Sequence, residues 1–103
     1  MGKFSRDKGA RVEREIVTSF RESGLPAKRT APMQTFKEND MPDILVETKT
    51  GDKTVEVKAR AKGKQFHDWL GTEDLLVYKV NGEQPLAIIP LTTWIKLNGG
   101  TPI

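Results

Sequence analysis

The sequence predicts an α/β fold, a mixed β-sheet flanked by helices, and three observations carry that expectation. Apolar residues recur at helical spacing near the start, four short runs of strand-forming residues follow, and a segment with helix start and stop signals closes the chain. The order α-β-β-(α)-β-β-α is that of a sheet covered by helices. With 103 residues, 36% hydrophobic and 30% charged, the chain suits one small domain over residues 1–103 with little core to spare. Pairing with a second copy is a natural way for such a chain to bury more apolar surface.

The first element is a helix from about Asp7 to Ser23. Val12, Ile16 and Phe20 recur every four residues, and Glu13, Val17 and Phe20 share an adjoining face. Ser5 or Asp7 is placed to cap its start, and Gly24 to end it, with Pro26 beyond. Residues 30–42 hold two prolines among polar residues and read as a mobile loop. Residues 43–48 (DILVET) and 54–60 (TVEVKAR) then read as strands, with Gly51-Asp52 supplying the reversal between them. The unbroken run Ile44-Leu45-Val46 suits a strand buried on both faces.

Residues 63–74 hold a short helix or turn. There Phe66, Trp69 and Leu70 have a helical core spacing, which favours packing, in the core or across a dimer interface, over stacking on bases. His67, the one histidine, reads as a surface or packing residue rather than a base, and Glu73 with Asp74 as the flank of a turn. Two further strands, DLLVYKV and PLAIIPL, are joined by NGEQ, a good hairpin signal. TTWIKLN makes a closing helix that Thr92 or Thr93 caps and Gly99-Gly100 stops, with Trp94 and Ile95 in the core.

The absence of cysteine excludes disulfides, thiolate nucleophiles and cysteine-type zinc sites. The charged start is unlike a secretory signal, and no stretch approaches the roughly 18 apolar residues of a membrane span, so the expected location is the cytoplasm. The net charge of +3 is mild, but its distribution is uneven. Basic residues crowd the N-terminus (Lys3, Arg6, Lys8, Arg11 and Arg14), the pair Lys28-Arg29, and KARAKGK at 58–64. Such clusters point to nucleic acid, although a solvated basic face explains them about as well.

The stretch from Pro42 to Arg60 holds the chemistry. Strand alternation alone explains Glu56 and Lys58 as the wet face of a hairpin, and a Glu-x-Lys spacing is common by chance. Yet folding about the turn brings Asp43 to the region where Glu56 to Arg60 runs, so both carboxylates can reach one point. A hard divalent ion asks for that: one or two carboxylates, with water and phosphate in the remaining positions. Lys58, on the face of Glu56, would then stand beside the ion, able to hold a water or to stabilise charge on phosphate oxygens. Glu13 lies one turn from Val17 and two from Phe20, at the edge of the packing face, where a carboxylate is costly unless paired or metal-bound.

Pro42-Asp43 followed by Glu56-Val57-Lys58 resembles the PD-(D/E)xK nuclease signature, and KGARVERE at 8–15 is similar to the N-terminal motif of archaeal Holliday junction resolvases. Small phage-encoded nucleases of that superfamily share the layout. The resemblance covers the first 60 residues well and the rest in outline. It implies a restriction-endonuclease-like fold and a DNA endonuclease dependent on Mg²⁺ or Mn²⁺. Glu13, Asp43 and Glu56 would form the acidic metal site, with Lys58 completing the catalytic set. Arg14 and Arg29 would contact the phosphate backbone, and Lys8, Arg60, Lys62 and Lys64 extend that DNA-binding set. The expected substrate is a four-way junction, nicked symmetrically by a homodimer. The loop before Asp43 is longer than in that family and holds Phe36. Two alternatives therefore stand beside the resolvase. One is a phage nuclease, working in the host cytoplasm on duplex, flap or single-stranded DNA without junction preference. The other is a catalytically silent DNA-binding module of the same fold.

Overall fold

A run of helix formers with an apolar stripe opens the chain, and in a computed structural model it forms α1, Gly2–Glu22. The structure describes residues 2–30 and 42–103, with side chains from residue 9 onward; most of the loop expected over 30–42 lies outside the described residues. Val17 and Phe20 are buried on α1, while Val12, Glu13 and Ile16 are half-buried beside them. The helix begins earlier than Asp7 and stops where Gly24 predicts. Gly24 takes φ +91, its N–H donates to the Arg21 carbonyl at 3.0 Å, and Leu25 N–H donates to that of Phe20 at 2.9 Å. This is a Schellman cap, completed by contact between the buried Leu25 and Phe20.

The chain then returns as β1, Ala27–Arg29, a strand too short for its alternation to be read in the sequence. It pairs antiparallel with β2, Ile44–Thr48, which pairs antiparallel with β3, Gly51–Val55. The register runs from Thr48↔Gly51 to Ile44↔Val55, so the reversal is at Lys49-Thr50 and not at the expected Gly51-Asp52. The cause is local. Thr48 Oγ1 accepts the Thr50 N–H at 3.2 Å and donates to the Gly51 carbonyl at 2.7 Å, closing the turn two residues early.

Beyond β3 come α2, Gln65–Leu70, then β4, Leu76–Tyr78, β5, Leu86–Ile88, and α3, Leu91–Leu97. The α/β class holds, but the strands divide into two antiparallel sheets, β1-β2-β3 and β4-β5. The hairpin expected around NGEQ is the second of these. Its strands pair with each other, not with β3, and parallel pairing is not seen among the described residues. α3 starts at Leu91 after Pro90, not at a threonine cap.

The core is one cluster of Val17, Phe20, Leu25, Ala27, Ile44, Val46 and Ile95, with Ile16, Val55, Val57 and Trp94 packed against it. Each large side chain so buried contributes roughly 1.5–3 kcal/mol. Trp94 meets Phe20 edge-on, ring centroids 5.9 Å apart. The C-terminal residues seal this core: Thr101 N–H donates to the Ser23 carbonyl at 2.8 Å, drawing Gly100 into the gap between α1 and α3. A Cβ on Gly100 would stand 2.5 Å from Ile95 Cγ2 and 3.1 Å from both Leu25 Cγ and the Ser23 carbonyl oxygen. Gly100→Ala is therefore expected to destabilise the fold by about 1–3 kcal/mol, read as a lower urea midpoint at unchanged slope. An unaltered midpoint would contradict this packing.

Candidate active site

Where the ladder between β2 and β3 ends, a side chain takes it over. Asp43 N–H donates to the Val55 carbonyl at 3.0 Å, and Asp43 Oδ2 accepts the Val57 N–H at 2.7 Å. Asp43 is thus bonded to the residues on both sides of Glu56. Val55 already faces Ile44, so two residues of one strand address one of the other, as in a β-bulge, a device that re-aims side chains. The position of the turn matters here. A reversal at Gly51-Asp52 would have carried the register to Asp43 opposite Arg60, whereas the observed one carries it to Glu56.

Alternation sets the rest. Val55 and Val57 pack toward the core, leaving Glu56 and Lys58 exposed, with Lys58 Nζ 3.2 Å from Glu56 Oε2. Their side chains are 56% and 69% exposed. A pair so open to water stabilises the fold by at most about 1 kcal/mol, so stability does not account for it.

Glu13 is differently engaged. Arg29 Nε donates to Glu13 Oε1 at 3.0 Å, tying α1 to β1, with the carboxylate side chain 15% exposed. Among the described residues no three acidic or histidine side chains gather closely enough to hold a metal ion, so the expected grouping of Glu13 with Asp43 and Glu56 is not assembled. Arg29, expected as a DNA contact, is turned inward on the short strand β1 that the sequence did not reveal, and holds Glu13. Arg29→Ala, which strands a largely buried carboxylate, should destabilise the fold by about 1–3 kcal/mol. Adding Glu13→Ala should recover part of that loss in denaturant melts; simple additivity would mean that the two residues are not coupled.

The family model of the archaeal Holliday junction resolvase (Hjc) matches residues 4–92, spanning the motif at 8–15 within α1, the Asp43–Lys58 hairpin and both sheets. The chain belongs to the archaeal Holliday junction resolvase family. No curated protein and no solved structure matches it.

In this member of the resolvase family the other basic residues are distributed unevenly. Arg14 is exposed on α1, while the side chain of Lys8 lies outside the described residues. Past Val57 the chain leaves the sheet, and Lys58, Arg60, Lys62 and Lys64 line a groove of about 1020 Å³ with Phe66 and His67. All six side chains are exposed, and Lys64 Nζ lies 4.0 Å from Asp68 Oδ1. The core packing expected of Phe66 and Trp69 is not found, since α2 has no buried residue. They pack on each other and on Tyr78 of β4 at the surface, and this third aromatic carried no signal in the sequence. No helix among the described residues is long and apolar enough to cross a membrane.

Proposed function

We propose that this chain is a metal-dependent, structure-selective endonuclease that hydrolyses phosphodiester bonds at four-way DNA junctions. The observation that carries the reading is the double tether of Asp43 to Val55 and Val57, which fixes its carboxylate against the backbone that flanks Glu56. Two carboxylates suit a hard divalent ion such as Mg²⁺ or Mn²⁺, which keeps several of its waters. When bound, such an ion supplies an activated water and a counter-charge for the scissile phosphate. Asp43, fixed through Oδ2, keeps its second oxygen for that ligand. Glu56 would hold it together with Asp43, and Lys58 would turn from Glu56 to the phosphate oxygens. Glu13 can join as a third carboxylate only after parting from Arg29, and a DNA phosphate is the partner that would draw the guanidinium away.

Two nicks placed symmetrically need two sites, so the working form is a homodimer. Exposed Val77, on the face of β4 away from Tyr78, and Leu75 beside it offer apolar surface for the second copy. The cytoplasm is the compartment for such work on DNA.

The test offers labelled four-way junction, flap, linear duplex and single-stranded DNA with Mg²⁺, with Mn²⁺, and with neither. Junction cleavage that needs a metal and exceeds duplex cleavage supports the reading. Equal cutting of every substrate would favour the general nuclease, and binding without cleavage in either metal would leave a silent DNA-binding module. Sedimentation of the free protein reads the dimer.

A further inference from the structure

We infer that Phe66, Trp69 and Tyr78 form a stacking platform for unpaired bases, and that the groove beside them holds the phosphates of the same strand. The inference rests on the proposed function, because opening the base pairs at a strand exchange point would free the bases that the rings take. The aromatic rings form one group: Phe66 and Tyr78 stand edge-to-face at 5.2 Å, and Trp69 stacks on Tyr78 at 6.0 Å with 24° between planes. More than half of the Trp69 surface, 54%, and 37% of Phe66 remain open to solvent. Rings that serve only as core do not stay this exposed, and α2 buries nothing else that would explain them.

Charge names the occupant. Phe66 belongs both to this aromatic group and to the groove that Lys58, Arg60, Lys62 and Lys64 line. A basic track that ends on exposed aromatic rings is the arrangement that holds a single strand, backbone in the groove and bases on the rings. A purely apolar partner would meet four cations along its edge, each to be desolvated at a cost. The track starts at Lys58, next to Glu56, so a strand lying in it passes the carboxylates and reaches the rings without leaving the surface.

The experiment measures binding of a short labelled oligothymidine strand by fluorescence anisotropy, in chelator and without divalent metal, over a range of salt. Trp69→Ala is expected to weaken binding by about 5- to 150-fold while leaving the slope of log Kd on log salt unchanged, because stacking releases no counterions. Trp69→Phe should restore most of the affinity, and Lys62→Ala should instead lower the slope by roughly 0.7. Wild-type affinity in Trp69→Ala would overturn the platform. So would sedimentation showing that Trp69→Ala separates a dimer and that its loss of affinity follows the loss of the dimer. Because no cleavage is involved, the two readings fail separately. A protein that grips the strand but cuts no junction loses its proposed activity and keeps the platform, and the converse result removes the platform alone.

Discussion

Glu56→Ala should cleave a four-way junction in Mg²⁺ at least about 10²-fold more slowly than the wild type, the scale seen when one preorganised charge-stabilising group is removed from a site. It should bind the junction no more weakly, since deleting an exposed carboxylate removes only repulsion toward phosphate. Its melting midpoint should barely move, because the pair with Lys58 lies in water. Lys58→Ala makes the useful contrast. It should also slow cleavage, and it should weaken binding with a reduced salt slope, because a cation of the groove is lost. Single-turnover cleavage beside anisotropy in chelator separates the two effects. If Glu56→Ala cuts at the wild-type rate, Asp43 and Glu56 are not the metal site.

Asp43 should give the second large effect, and there the two obvious variants part company. Asp43→Asn keeps an oxygen that can accept the Val57 N–H, so the end of the hairpin should stay closed and the fold intact. It removes the negative charge, however, and cleavage should fall by about 10²-fold or more. Asp43→Ala should lose the activity and, in addition, about 1–3 kcal/mol of stability, because the Val57 N–H is left without its acceptor in a half-buried position. Denaturant melts and cleavage rates on both variants test this. Equal stability of the Ala and Asn variants would mean that the tether is idle.

The Arg29–Glu13 pair bears on both results. In the structure the guanidinium that the family resemblance assigns to phosphate is spent inside the protein, on the carboxylate that the same resemblance assigns to the metal. The sequence contained both residues but not their meeting. Lys28 and Arg29 read as one basic dipeptide, whereas β1 turns Lys28 to solvent and Arg29 toward α1. A three-residue strand offers too little alternation to announce such a division.

Much of the site was legible before folding. Helical spacing placed Glu13 at the rim of the face that buries Val17 and Phe20, and the Val-x-Val alternation of Val55 and Val57 correctly turned Glu56 and Lys58 outward. The turn was read two residues late, because glycine and aspartate are strong turn residues and the hydroxyl bonds of Thr48 are not visible in a composition. Of the two packings expected of Phe66 and Trp69, the one in the core is not found, for a related reason. Helical spacing says that two rings share a face, and it does not say whether anything covers that face.

The sequence by itself determined the α/β class, the apolar stripe of the first helix, the Gly24 stop, and the outward alternation of Glu56 and Lys58. These follow from short-range physics: side-chain period and backbone freedom at glycine. Only the tertiary structure decided who meets whom. It brought Asp43 to both neighbours of Glu56, gave Arg29 to Glu13, drew Gly100 against Ile95, and left Trp69 stacked on Tyr78 in water. The first two of those meetings join residues 14 and 16 apart in the chain, and the first also hangs on register, where a shift of a single residue sends a side chain to the other face.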